Sequence, residues 1–297
     1  MVDSSYYLVL RPRDKPQELH MHGTLDVKDM KLYAQANSIM VDLAAVGFSD
    51  GSPLAVEDLA QLDQLHYHGV ESVQHGIDTL GIRNGDRVLE VGAGWGGPSR
   101  YIAAQSGASV TALELQDDFH NVGKALTQRC GLADLVTHQR GDFLRFDAAP
   151  GGSFNHVVSW LALYHIPDRE TYTRKIHDLL APGGTFFVED LMQGTAFDIE
   201  GTDTLNRELF ANSMVSEAAY VESVEAAGFE IIETTNMTAD WRAFTAMRLE
   251  MFIANRDAFI NTHNEALYRD RKHFYSKIVE YFTANAIGGM RLAARRP

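Results

Sequence analysis

The segment Glu90-Val91-Gly92-Ala93-Gly94-Trp95-Gly96-Gly97-Pro98-Ser99-Arg100 constrains this chain more than any other. The apolar run Val88–Val91 leads into it as a strand, and Pro98–Ala104 continues it as a helix. Glycine suits such a turn for two reasons. The turn uses positive φ, and a Cβ would hold a ligand away from the backbone N–H groups at the helix start. A strand that turns on glycines into a helix opens a βα unit, and ligands of such units gather at the carboxyl ends of the strands.

The alternation continues downstream. Val110–Leu115, Leu135–His138, Asn155–Leu161 and Thr185–Val188 read as strands. Val70–Leu80, Asp118–Cys130 and Asp168–Leu180 read as helices between them. Strands alternating with helices of this length imply an α/β, doubly wound, mostly parallel sheet. After Leu191 the alternation lapses into a polar stretch, 192–214. A helix at Glu217–Ala227, a strand at Phe229–Thr234, helices near 241–259 and 264–284 and a strand at Met290–Ala294 follow. The apolar positions Met30, Leu32, Tyr33, Ile39, Met40, Leu43 and Val46 predict a helix within Val27–Val46. The expected organisation is an N-terminal helical lid over residues 1–69 and a ligand-binding domain over 70–297. Cap helices are expected around 192–228 and 241–285.

Charge narrows the partners. With 26 Lys+Arg against 40 Asp+Glu the 297-residue chain carries a formal net charge of −14. Neutralising nucleic-acid phosphates needs clustered cations, and the basic stretches at Arg11–Lys15, Arg269–Lys272 and Arg291–Arg296 are short. A single cysteine, Cys130, excludes a disulfide framework and a cysteine-based zinc site. No apolar run approaches the length of a membrane span, and the start lacks a signal-type apolar stretch. The expectation is a soluble cytoplasmic protein, a monomer or homodimer, with a small-molecule substrate and no nucleic-acid or stable membrane partner.

Two acids give the glycine loop its meaning. Glu114 stands at the end of the second strand, and Asp142, in Gly141-Asp142-Phe143, follows the third. A nicotinamide-binding fold also pairs a Gly-rich loop with an acid, but an acid two residues before the first glycine and the Gly-Asp-Phe step fit another pattern better. Together these residues resemble the class I S-adenosylmethionine-dependent methyltransferases. The resemblance implies a seven-stranded Rossmann-like sheet with its last strand antiparallel, and S-adenosyl-L-methionine as cofactor, released as S-adenosyl-L-homocysteine. It also implies a cofactor-binding set of Tyr67, Gly69, Glu90, Gly92, Gly94, Gly97, Glu114, Leu115, Asp142, Phe143 and Trp160. Gly92–Tyr101 resembles the branch acting on small metabolites: sarcosine/dimethylglycine and phosphoethanolamine N-methyltransferases, and sterol, tocopherol and prenyl C-methyltransferases.

After the fourth strand comes Ser159-Trp160-Leu161-Ala162-Leu163-Tyr164-His165. Phosphoethanolamine enzymes carry an acid where Leu161 stands, which argues against that substrate. The expected substrate contacts are Trp160, Tyr164, His165 and Glu189. His165 suits a general base, with a packing role as the alternative, and Tyr164 is either a contact or core. In His66-Tyr67-His68, Tyr67 is a second catalytic candidate or part of an aromatic loop. His66 and His68 sit at alternate positions, as chelating residues would, but no cysteine or carboxylate accompanies them, so no metal is expected. Glu189 and Asp190 are read as ending the fifth strand, where one holds a polar substrate or caps a helix. Arg207, Arg242, Arg248 and Lys277 are possible anchors for a substrate carboxylate. The expected reaction is N-methylation of a small amine or amino acid. C- or S-methylation of an apolar or sulfur-containing metabolite stands second, and a non-catalytic cofactor-binding scaffold third.

Overall fold

The computed structural model describes residues 35–147, 153–197 and 202–297. The expected helix positions Met30, Leu32 and Tyr33 and the basic stretch Arg11–Lys15 lie outside the described residues. Within them, α1 (Ser38–Ala45) and α2 (Val56–Leu59) precede α3 (Gly69–Leu80), β1 (Arg87–Val91), α4 (Gly97–Ser106), β2 (Ser109–Glu114) and α5 (Asp117–Arg129). Then come β3 (Val136–Arg140), β4 (Phe154–Trp160), α6 (Arg169–Leu179), β5 (Leu180–Gln193), α7 (Thr202–Leu209) and α8 (Glu217–Ala226). The chain continues through β6 (Glu230–Asn236), α9 (Thr238–Ala254), α10 (Arg256–Thr262), α11 (Glu265–Thr283) and β7 (Ile287–Arg295).

The seven strands form one sheet in the order β3-β2-β1-β4-β5-β7-β6. The pairs β1–β2, β1–β4, β2–β3 and β4–β5 are parallel, and β7 runs antiparallel to both neighbours. Strands covered on both faces read as unbroken apolar runs. Val88, Leu89, Val157, Val158 and Phe187 are accordingly buried between α3 and α4 on one face and α6 and α8 on the other. Pro98 fits the first turn of α4, where a missing N–H costs nothing, and Gly81 and Gly107 end α3 and α4 in the left-handed conformation. A separate aromatic cluster unites α9, α10 and α11 with Tyr67, Tyr164 and Leu191. The strand order puts the switch between β1 and β4, and therefore the ligand crevice, at the glycine loop.

Three expectations need correction. The fifth strand does not stop at Val188 but runs to Gln193, because β7 pairs with it from Thr185 to Gln193. Glu189 and Asp190 are therefore inside the sheet, both buried. The expected helix 241–259 is broken at Asn255 into α9 and α10, whereas α7 lies within the region 192–228 expected to hold cap helices.

Candidate active site

A cavity of about 440 Å³ opens at the carboxyl ends of β1, β2 and β4. Its walls include Glu90, Gly92, Gly94, Glu114, Leu115, Asp142, Phe143, Trp160 and His165, so nine of the expected site residues meet there. Gly92 (φ 77°) and Gly94 (φ 52°) need left-handed backbone. They also lack room for a side chain: a Cβ on Gly92 would lie 2.3 Å from the Ala162 Cβ, and one on Gly94 2.9 Å from Leu65. The loop is thus pressed between the end of β4 and the 62–69 segment.

The acids of this half are buried and bonded locally. Ser99 donates its hydroxyl to Glu90, and burial pushes the Glu90 carboxyl up to about 8. Glu114 accepts from the Gly94 and Gln116 backbone N–H groups, both at 2.8 Å. Burial nonetheless raises it to about 7. Asp142 accepts from the Leu144 N–H at 2.9 Å. The wall also holds Asp63, which forms a fully buried ion pair with Arg100 at 2.8 Å. Burial raises its carboxyl, and Arg100 works against that rise.

The opposite wall is Trp160, Leu161, Ala162, His165, Ile166 and Pro167. Trp160 is held by its indole N–H, which donates to the Ser72 hydroxyl at 2.9 Å. Leu161 adopts φ 52°. That conformation costs a non-glycine residue about 1–2 kcal/mol, and it places an apolar side chain on the cavity wall. His165 sits in a short 3-10 turn, Leu163–His165. Its Nδ1 faces the Phe210 carbonyl at 2.9 Å. A carbonyl only accepts, so Nδ1 carries the proton and Nε2 keeps its lone pair. Nε2 is buried without a hydrogen-bond partner, and burial lowers the imidazole to about 4. The segment after α7 holds this turn: the Asn212 and Ser213 N–H groups donate to the Tyr164 carbonyl, and the Asn212 side chain to the His165 carbonyl.

Five expected site residues lie off the cavity wall. Gly97 begins α4, where a Cβ would strike the Asp63 carbonyl oxygen at 2.6 Å, so its role is close packing. The carbonyl of Gly69 accepts from His66 Nε2 at 3.0 Å. The Tyr67 ring packs against Trp241, Phe244 and Phe282. The Tyr164 ring lies tilted against His165, with centroids 3.9 Å apart. Glu189, expected at the crevice rim, is instead paired with Arg291 at 2.6 Å across the β5–β7 ladder. Asp190 accepts from Tyr220 OH at 3.1 Å. The alternate histidines diverge, because His68 takes φ 59° and turns to Asp240 at 2.5 Å while His66 lines the cavity. Among the described residues no group of three or more His, Cys, Asp or Glu is placed to hold a metal ion.

Sequence reasoning missed Asp63, Leu65, His66, Ala162 and Ile166 as wall residues. Asp63-Gln64-Leu65-His66 held the available signal, an acid and a histidine immediately before a predicted helix, but the partners Arg100 and Gly97 lie over 30 residues away.

Known proteins place the chain. It is 37% identical over 118 residues to the sterol 24-C-methyltransferase of Eremothecium gossypii, an overlap of 40% of this chain and 31% of that protein. It is 28% identical over 191 residues to methyltransferase GfsG of Streptomyces halstedii, covering 62% of this chain and 67% of the other. The chain thus spans less than half the length of the sterol methyltransferases it matches. Among solved structures, the Haemonchus contortus phosphoethanolamine N-methyltransferase 2 aligns with a TM-score of 0.75 at 19% identity, over 93% of this chain and 61% of that one. A sarcosine dimethylglycine methyltransferase from Galdieria sulphuraria gives 0.70 at 18% identity, over 88% and 98%. At these identities the likeness is one of fold. Residues 60–291 match the profile described as mycolic acid cyclopropane synthetase, and the chain belongs to that family.

Proposed function

We propose that the chain transfers a methyl group from S-adenosyl-L-methionine to a carbon atom of a small apolar substrate. The single observation that carries this reading is the His165 Nε2 lone pair, buried without a partner and set beside Leu161 on the cavity wall. When bound, the cofactor supplies a methyl group on a cationic sulfur. The donor set fits it: Glu90 suits its amino group, Glu114 its ribose hydroxyls, and Asp142 with Phe143 its adenine. Two glycines without room for a Cβ leave the loop backbone bare beside these acids.

Bound S-adenosyl-L-methionine would supply the methyl group to a substrate double bond, and His165 Nε2 would take the proton that the substrate then loses. A neutral imidazole is ready for that proton at any pH well above 4, so this group leaves turnover flat between pH 6 and 8 and removes it as pH falls through about 4. Solvent exclusion and alignment supply the rest. The names of the sterol relatives, which methylate carbon, support the same class of nucleophile.

N-methylation of an amine would use the same base, but it needs an anion near Leu161. Glu189, expected in that role, is neutralised by Arg291. The wall acids Asp63, Glu90, Glu114 and Asp142 belong to the opposite half. The test is S-adenosylhomocysteine release from purified protein against prenyl alkenes, phenols, thiols and amines, with His165→Ala beside the wild type. Turnover of an alkene is expected, reduced about 10²- to 10³-fold in His165→Ala with cofactor affinity unchanged. Turnover of amines alone would replace the carbon reading, and equal small losses in both quantities would return His165 to a packing role.

A further inference from the structure

Five acids are buried among the described residues. Asp63 and Glu189 each meet an arginine, and Glu90 and Glu114 line the cavity. Asp190 does neither. It is fully buried on β5, and no cation among the described residues forms an ion pair with it. Burial pushes its carboxyl up to about 7, and Arg169 on α6 offsets only part of that rise. A buried carboxyl without a counter-ion is costly, and an apolar side chain there would avoid that cost.

Its hydrogen bonds lead to the active site. Oδ1 accepts the Tyr164 backbone N–H at 3.3 Å, and Oδ2 accepts the Tyr220 hydroxyl, from α8, at 3.1 Å. Tyr164 lies in the short turn Leu163–His165, immediately before the imidazole. Its N–H belongs to the peptide entering Tyr164, and its carbonyl to the peptide leading into His165. That carbonyl accepts from the Asn212 and Ser213 N–H groups, and Arg169 donates to the Ser213 carbonyl at 2.6 Å. Two successive peptides before His165 are thus fixed, one from the sheet and one from the segment after α7. The ring itself has the Phe210 carbonyl as its hydrogen-bond partner, and Nε2 has none. Its direction therefore depends on the backbone beneath it.

We infer that Asp190 is a positioning residue for the proposed base: from β5 it holds the turn that sets His165 on the cavity wall, and Tyr220 fixes its carboxylate for that bond. The inference rests on the proposed methyl transfer, in which His165 takes the substrate proton. An ionised carboxylate makes the bond to Tyr164 charge-assisted and stronger. A proton on Oδ2 turns that oxygen into a donor and sets it against the Tyr220 hydroxyl. The hold on His165 therefore tightens as pH rises through neutrality.

The neighbours of Asp190 do not titrate in that range. Arg169 and Tyr172 face it from α6 and Tyr220 from α8, and burial keeps both phenols protonated. The turn brings Tyr164 and a neutral His165. β7 places the uncharged Met290 opposite it, and on its own strand Glu189 is paired with Arg291.

Two readouts test the assignment, one without turnover and one with it. In the S-adenosylhomocysteine-loaded full chain, heteronuclear NMR of the histidine ring nitrogens reports the His165 tautomer, its signals being identified by their loss in His165→Gln. The wild type should hold the Nδ1–H tautomer at pH 8, with signals that shift between pH 6 and 8 although the ring stays neutral. Asp190→Asn should keep the tautomer and lose the shift, and Asp190→Leu should mix the tautomers. With geraniol and saturating cofactor, wild-type kcat should fall about threefold or more from pH 8 to pH 6. In Asp190→Asn it should be flat, and in Asp190→Leu about tenfold lower throughout, with cofactor affinity within about twofold. Tyr220→Phe removes a donor to the ionised carboxylate, so its transition should move to higher pH. If Asp190→Leu fails to fold, Asp190→Asn and Tyr220→Phe decide the matter. A His165 shift that is absent from the wild type or persists in Asp190→Asn overturns the inference. So does turnover whose kcat and pH profile are unchanged in both Asp190 variants. A shift that depends on Asp190 in a protein that transfers no methyl group would sink the methyl-transfer reading and leave the positioning standing.

Discussion

The two halves of the cavity are built in opposite ways. On the β1–β3 side the contacts are short in sequence: Ser99 to Glu90 spans nine residues, Leu144 to Asp142 two, and Gly94 to Glu114 twenty. On the other side His165 is set by Phe210, 45 residues on, and His68 reaches Asp240 across 172. The first half is therefore a local device that any chain with the loop and two acids can assemble. The second exists only when the sheet, the 62–69 segment and α9–α11 have all closed. On the proposed reading, affinity for a common cofactor belongs to the local half, and the choice of substrate to the assembled one.

The largest effect expected to test this division is Gly94→Val. Positive φ and the contact with Leu65 leave no room for the side chain, and cofactor binding should disappear in calorimetry while the thermal midpoint falls only modestly. Retained affinity would mean the loop is not the cofactor cradle.

Leu161→Asp probes the other half. Aspartate tolerates the left-handed backbone better than leucine, but it puts a carboxylate on an apolar wall. Turnover of an apolar alkene should drop about tenfold or more, by the cost of burying that charge, with the cofactor dissociation constant within twofold. A parallel collapse of cofactor affinity would show that the halves are not separable.

Smaller still is a proton effect. Burial holds Glu90 protonated up to about 8, and an ammonium group needs it ionised. Cofactor binding should then release a proton and strengthen about tenfold between pH 6 and 7, by linkage. Calorimetry in phosphate and in Tris, whose ionisation heats differ, reads the proton directly, and identical heats would refute it. Last, Asp240→Asn removes a partly exposed pair with His68. Its cost in urea unfolding should stay within about 1 kcal/mol. A much larger loss would make that contact a structural latch.

The same division explains what could be read in advance. Val88–Val91, Val110–Leu115 and Asn155–Leu161 announce buried parallel strands, and the glycine loop, Glu114 and Asp142 announce the pocket between them. Glu189 and Asp190 look like a solvated end and so predict a shorter fifth strand. Inside the sheet, Arg291 and Tyr220 make them tolerable, and those residues lie 102 and 30 positions away. Tyr67 is expected at the cofactor because its segment resembles the lid of small-molecule methyltransferases, but its ring packs in the aromatic cluster while its neighbour His66 lines the cavity. Leu161 was legible as a departure from a family motif, but its backbone strain was not.

The strand order has a consequence for biosynthesis. β6 pairs with β7 alone, and β7 lies between β6 and β5. A ribosome releases β6 first, so residues 230–236 emerge with both flanks bare and wait about fifty residues for a neighbour. At elongation rates of about 5–20 residues per second that wait lasts several seconds. During it, the open edge of β5 is the nearest competitor for β6 and an invitation to other nascent chains. Glu189 on β5 keeps an unpaired charge beside that edge until Arg291 arrives, which makes premature pairing unfavourable and the correct insertion self-timed.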